Sequence, residues 1–576
     1  MPLTASILAG WRIEANSDAA PVARAAAELR TQLGAPPDTT TDAGVVRLVL
    51  HTPERADDGF EATIASHEIE LRSNSARGLL NAAYWLLERL GFTWVEPGER
   101  GVCFRATASL AEGSYSEAPA FERRTLILGQ DALQDDWRDW IEWASRNRLN
   151  DVFFHDTPPS SLDRAGAKRP ASAEEQAADG HGWMFELWDR EGAAIRELAA
   201  KRGMRLQFGG HHLPAMVPRA AFVEHPEWFP LRKGVRDPQY NLCVSSPGAR
   251  AHLRAGALAF FARFPGADVF HLWADDIPGG GWCECDDCKG LTPSDQALEA
   301  TNIVAEALAG VLPDARVAHL AYHDTVQPPT QVQPAANVTL LWAPRERCYA
   351  HAIDDERCPK NRNEYWEPYL GLLELFGRRP ERVQVFEYYS DAILFKGLAP
   401  THLGTLPGDV KAYAVGAGNL QNLMVGNRPW VGPPWHAWWM ARCLWDSQAV
   451  LVEALGEFCE AAFPENAAAM VAYYSGQERA YRQFLDLHNL REMPRHDVLD
   501  FSDRPRATLN AKGAELLEGA FRLRNAEKSI FSLAATNQAE ADRLARERTQ
   551  AAAVASIAAH IGNRVAAWDA NLDGLR

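Results

Sequence analysis

From Phe121 onward, short runs of mostly apolar residues alternate with stretches whose apolar positions recur three and four apart. The first pattern builds strands buried on both faces, and the second builds helices that pack by one face. Strands are expected at residues 124–128, 151–155, 205–208, 268–273, 316–321, 338–342, 382–387 and 419–425. Helices are expected between most of them, at 137–148, 188–202, 247–263, 296–312 and 364–376. Eight strands alternating with helices over about 300 residues is the arithmetic of an α/β fold closed as a (β/α)₈ TIM barrel. A doubly wound open sheet is the competing arrangement. The strand count, and the lack of a glycine-rich phosphate loop after the first strand, favour the barrel.

The flanks differ from this pattern. Residues 1–115 read as a small α+β domain, with strands at 45–51 and 61–73 and a return strand at 92–95. Its helix, 76–90, carries Leu79, Leu80, Ala83, Leu86, Leu87 and Leu90 at helical spacing and ends at Gly91. Residues 114–120, with Pro119, read as a linker to a barrel spanning 121–433. From 434 to 576 the chain turns Ala-rich and helical, with 539–564 as one long helix bearing a solvated face.

Composition narrows the function. A chain of 576 residues exceeds one compact core. A net charge of −17 argues against nucleic acid or an anionic membrane as partner. No window reaches the roughly 18 uncharged apolar residues of a membrane span. The start of the chain, Met1 to Ala9, lacks the basic flank of a signal peptide. The chain as written therefore reads as cytoplasmic, or as secreted or periplasmic if a signal has been trimmed. Of the 19 Trp, several cluster with polar residues (Trp430, Trp435, Trp438, Trp439), as in clefts that stack on sugar rings or in large cores.

The polar residues at the expected strand ends carry the chemistry. In a barrel the site sits at the C-terminal ends of the strands. Strand four runs through Trp273 into the adjacent carboxylates Asp275 and Asp276. Two such charges beside an apolar wall raise each other's pKa, which suits cation binding or acid–base chemistry; helix capping is the simpler use of the same residues. Around them fall His155, His211, His212, Tyr322, Trp342, Glu387, Tyr388, Asn422 and Trp430. Carboxylates can act as acid, base or nucleophile, aromatic rings stack on a sugar, and His and Asn grip hydroxyls, so the expected partner is a carbohydrate. No catalytic cofactor is expected. Cys283, Cys285 and Cys288 crowd the loop after strand four, with Cys243 upstream. Two readings stand for them: a structural Cys₄ zinc site, or reduced thiols with at most one disulfide. Cys348, His351 and Cys358 form a weaker pattern.

Residues 75–91, SARGLLNAAYWLLERLG, followed by Trp94, resemble the small domain that precedes the barrel in β-hexosaminidases, O-GlcNAcases and α-glucuronidases. Three further motifs resemble the DUF4838 family: the loop Trp282-Cys283-Glu284-Cys285-Asp286-Asp287-Cys288; Leu320-Ala321-Tyr322 with Pro328-Pro329; and Cys348-Tyr349-Ala350-His351 with Cys358-Pro359. That group includes the endo-β-N-acetylglucosaminidases of glycoside hydrolase family 163. The likeness covers roughly residues 40–430. It implies a glycoside hydrolase acting on a β-linked N-acetylhexosamine, including on N-glycans, by substrate-assisted catalysis, with the substrate's acetamido oxygen as nucleophile. Asp275 would then orient the acetamido group and Asp276 would protonate the leaving oxygen. Neighbours on a regular strand face opposite ways. The chain must therefore bend at this pair, or Glu387 becomes the acid. An α-glucuronidase-like inverting hydrolase, with Arg345 or Arg428 gripping a uronate, and a non-catalytic carbohydrate-binding protein are the alternatives. The sugar, the linkage, endo or exo action and the oligomeric state stay open.

Overall fold

The computed structural model describes residues 3–34, 44–51, 57–129, 136–156, 158, 182–238, 241–276, 280–391, 394–395, 398, 404–425, 434–487 and 518–573. Its centre is a closed barrel of eight parallel strands whose order in space follows the chain. They are Arg123–Leu128, Asp151–Asp156, Arg205–Gly210, Val269–Leu272, Arg316–Ala321, Val338–Trp342, Val383–Asp391 and Asn419–Val425. The last pairs back onto the first through Asn419 and Arg123. The second, fourth, sixth and seventh strands are buried at every residue. Burial on both faces is why they read as near-continuous apolar runs.

The barrel core also holds polar side chains, and each of those named here finds a partner, as a group inside a low-dielectric core must. Thr125 donates to Asn419 Oδ1 (3.0 Å), Asn419 Nδ2 to Gln384 Oε1 (2.9 Å) and Gln384 Nε2 to Thr339 Oγ1 (3.2 Å). This chain of bonds ties the first, eighth, seventh and sixth strands together beneath the mouth. The seventh strand runs past the expected end at 387 to Asp391. It shifts register between Glu387 and Ser390, a bulge that re-aims the side chains beyond it.

Before the barrel lies a five-stranded sheet, in the order Arg12–Ala15, Val45–Leu50, Glu68–Ser73, Phe60–Ala65, Gly113–Glu117. The single strand expected at 61–73 is two antiparallel strands, with Ala65 paired to Glu68 across a tight turn. Alternation continues through so short a turn, so the pattern alone does not show the break. The stretch read as a linker from residue 114 begins as the strand Gly113–Glu117, paired to Phe60–Ala65. The first strand and the helix Ala20–Leu33 were not expected. The helix Ala76–Arg89 is capped by the Ser75 side chain, which accepts from the Gly78 amide. Its Arg77 is buried and docks the sheet on the barrel. It donates to the carbonyls of Arg202 (2.6 Å), Leu149 (2.7 Å) and Ser145 (3.1 Å) and to the Ser145 hydroxyl (2.8 Å). Leu149 and Arg202 precede the second and third strands, so this contact lies at the barrel end opposite the mouth.

After the barrel come helices Trp435–Trp445, Leu451–Ala462, Ala467–Leu487, 518–528 and Gln538–Asp573. Trp435, Trp438 and Trp439 are fully buried and pack with Phe458 and Tyr474. They form a helical core rather than a cleft that could meet a sugar. No described helix is long and apolar enough to cross a membrane.

Candidate functional site

Strand four ends its pairing at Leu272, and residues 273–276 continue as irregular chain at the barrel mouth. Free of the ladder, Asp275 and Asp276 are not held to strict alternation. The Asp275 side chain is fully buried. Its amide donates to Asn241 Oδ1 (2.8 Å), and its Oδ2 lies 3.8 Å from the Arg219 guanidinium. Asp276 is 33% exposed, so it reaches the open mouth, and its Oδ1 lies 3.7 Å from His323 Nε2. His323 Nδ1 in turn lies 3.1 Å from Glu346 Oε2. The imidazole thus stands between two carboxylates. His323 adopts φ of 51°, the left-handed region that non-glycine residues rarely occupy, at the turn that aims its ring there.

Aromatic rings wall the mouth. Tyr322 and Tyr388 lie nearly parallel, with centroids 6.2 Å apart. Burial first, and the Asp276 charge next, push the Tyr322 phenol well above its ordinary range, so it stays a neutral hydroxyl. His155 is enclosed by Trp273 and Phe386, with centroids at 5.5 and 5.9 Å. Burial pushes its pKa down to about 3, which keeps the ring neutral. Its Nδ1 is a buried atom without a hydrogen-bond partner among the described residues. His211 Nδ1 lies 2.6 Å from the Ala274 carbonyl. A carbonyl only accepts, so Nδ1 carries a proton. His211, Asn241, Trp273, Asp275, Trp282, Tyr322, His323 and Asp324 line one pocket, where Trp282 Nε1 donates to Asp324 Oδ2 (2.5 Å).

Other residues expected at the site lie elsewhere. Glu387 is fully buried on the outer face of strand seven. It accepts from Arg347 Nε (3.0 Å), Tyr413 Oη (2.6 Å) and Tyr349 Oη (3.3 Å). Arg347 also pairs with Asp409, which accepts from Tyr389 Oη (2.7 Å). Trp342 is fully buried and packs on Tyr369 (5.6 Å), in the layer between strands and helices. His212 faces the same layer, 3.4 Å from Asp156 and against Phe185 and Phe260. Asn422, at the middle of strand eight, donates to the Ser390 hydroxyl (3.0 Å). Trp430 and Arg428 lie outside the described residues.

Several residues in and around the pocket were not singled out from the sequence. His323 was visible only as part of the polar end of strand five. Glu346 had a signal in the charged run Arg345-Glu346-Arg347 after strand six. Trp282 adjoins the cysteine loop. Asn241 and Arg219 had no local signal at all.

The thiols of Cys243, Cys283, Cys285 and Cys288 are all buried, with ligand atoms within 4.8 Å of one another. Cys348, His351 and Cys358 form a second, partly exposed group, with Cys348 Sγ 3.3 Å from His351 Nδ1.

Comparison with known proteins agrees with this architecture. The model of DUF4838, described as a domain of unknown function, matches residues 106–476. No curated protein matches the chain by sequence. Among solved structures, a GH138 enzyme targeting pectin rhamnogalacturonan II is similar with a TM-score of 0.61 at 12% identity, covering 96% of this chain and 69% of that one. CpGH84B is similar with a TM-score of 0.52 at 11% identity, covering 100% of this chain and 92% of that one. At such identities the likeness shows the fold.

Proposed function

This chain belongs to the DUF4838 family, and we propose that it is a glycoside hydrolase that cleaves a β-linked N-acetylhexosaminide with the substrate's own acetamido group as nucleophile. The observation that carries this reading is the parting of the two carboxylates at the end of strand four. Asp275 sits deep beside Asn241 and Arg219, and Asp276 stands in the mouth beside His323. Substrate assistance needs this division of labour. A buried carboxylate accepts the acetamido N–H and sharpens its carbonyl oxygen as a nucleophile toward C1. A carboxyl reaching the mouth protonates the glycosidic oxygen as the bond breaks. Water then opens the cyclised intermediate, with the second carboxylate as base. Tyr322 and Tyr388 supply a wall for the sugar face, and His155 and His211 supply polar atoms for hydroxyls. His323, between Asp276 and Glu346, orients the acid.

The glucuronidase-like reading requires a cation free to hold a uronate. Arg345 is engaged instead: its Nε donates to Asp391 (2.7 Å), it lies 3.4 Å from Glu346, and it covers the Tyr388 ring. Of the two arginines that could grip a uronate, the one among the described residues is thus already committed. The test is turnover of aryl β-N-acetylglucosaminides and N-glycans beside glucosides, glucuronides and pectin rhamnogalacturonan II. Hydrolysis of the latter group but not of acetamido sugars would sink the proposal. Binding of an N-acetylglucosamine thiazoline, measured by calorimetry, without any hydrolysis would point to a binding protein.

A further inference from the structure

Cys243, Cys283, Cys285 and Cys288 come from two distant stretches of chain, yet their sulfurs share one buried space. Cys243 Sγ lies 3.8 Å from both Cys285 Sγ and Cys288 Sγ. A disulfide needs about 2.05 Å. Four sulfurs each about 2.3 Å from a common centre lie about 3.8 Å apart, along the edges of a tetrahedron. The two Cys243 distances match edges of such a shell, and all four ligand atoms lie within 4.8 Å of one another. The surroundings suit its negative charge. The Leu231 amide points at Cys283 Sγ (3.3 Å), with the Arg236 guanidinium 3.7 Å from the same sulfur. The Ser245 hydroxyl lies 3.0 Å from Cys288 Sγ. The amides of Cys288 and Lys289 both turn back onto the Cys285 carbonyl (2.9 and 2.8 Å), so the segment from Cys285 to Cys288 is already wrapped around the centre. Donors of this kind orient and tune thiolate ligands.

We propose that these four cysteines hold one structural zinc ion, and that the ion fixes two walls of the pocket. Binding is an acid–base exchange: the thiols release their protons and four sulfur lone pairs bind zinc(II), with no change of oxidation state. Cys243 lies two residues after Asn241, whose side chain accepts from the Asp275 amide and donates to the Gly280 carbonyl (2.6 Å). Cys283 follows Trp282, which holds Asp324. The metal therefore anchors both the Asn241 arm and the Trp282 arm against Asp275. A closed Cys₄ shell leaves no position for substrate, so the ion takes no part in the bond-breaking step. The metal site stands independently of the glycosidase reading; only its effect on turnover rests on that reading.

The test starts with elemental analysis of the full chain, purified without an affinity tag that binds metal. About one equivalent of zinc at this site is expected. The double variant Cys283→Ser, Cys285→Ser should lose that equivalent, whereas Cys348→Ser should retain it. Should the double variant fail to fold, the wild-type chain made with cobalt(II) in place of zinc should show the strong visible absorption of a tetrahedral thiolate site. Asn241→Ala should keep the zinc and lose roughly 10- to 100-fold in turnover, the usual scale for a supporting contact. A wild-type chain without zinc, iron in its place, or zinc unchanged in a folded double variant would overturn the metal site. Full activity in Asn241→Ala would overturn the anchoring role. A chain that holds zinc but hydrolyses no acetamido sugar would support the metal site and refute only the reaction.

Discussion

Replacing Glu387 by Gln should weaken the fold and spare the chemistry. Both Glu387 and Arg347 are wholly buried. The carboxylate collects the Arg347 guanidinium at 3.0 and 3.3 Å and the hydroxyls of Tyr413 and Tyr349 at 2.6 and 3.3 Å. A charge-assisted hydrogen bond contributes about 1.5–3 kcal/mol, and breaking an isolated buried pair costs about 3–5 kcal/mol. Arg347 keeps Asp409 as a second carboxylate, so the guanidinium is not abandoned. Gln retains one acceptor oxygen but turns an NH₂ group toward donors. The expected loss is therefore about 2–4 kcal/mol, read as a lower urea midpoint at unchanged slope. Asp276→Asn should do the reverse. Its side chain is partly exposed and lies 3.7 Å from His323 Nε2, so stability should shift by no more than about 0.5 kcal/mol. Turnover should fall by roughly two to four orders of magnitude on a natural glycan, and far less on a nitrophenyl glycoside, whose leaving group needs little protonation. A Glu387→Gln variant that unfolds at the wild-type urea concentration yet loses turnover most on poor leaving groups would refute this assignment. That result would make Glu387 the acid.

Two further outcomes follow from the packing around the barrel. Arg77→Ala removes four hydrogen bonds between the N-terminal sheet and the barrel and leaves buried carbonyls unpaired; a loss of about 3–5 kcal/mol is expected by urea denaturation, with KM for any substrate unchanged. Burial raises the carboxyls of Glu527 and Glu547 to about 7 from 4.5. The folded chain then holds their protons more tightly than the unfolded chain, so stability falls as pH rises from about 4.5 to about 7 and is level outside that window. The contribution is at most roughly 3 kcal/mol per group. Thermal midpoints should drop between pH 5 and pH 8, and Glu527→Gln with Glu547→Gln should flatten that drop; equal slopes in variant and wild type would refute it.

The barrel was legible in the sequence because a parallel strand covered on both faces must be apolar along its length, and each run ended where the polar mouth begins. The carboxylate pair was legible for the same reason: Asp275 and Asp276 interrupt an apolar run at the place where a barrel puts its chemistry. Side-chain direction was not. His211 lines the pocket and His212 does not; Tyr388 faces the mouth, while Glu387 and Tyr389 point into an ion-paired cluster behind the strand. Adjacent residues of like polarity carry no mark of which face each takes, and the bulge after Glu387 shifts the register within the same strand. Nor could the sequence show that His323, after strand five, meets Glu346, after strand six, or that Asn241 braces Asp275 from another loop. A hydrophobic pattern is local and reports whether a position is buried. Which buried groups meet is decided by how the strands stagger as the barrel closes, and that closure brings the ends of separate strands into one pocket.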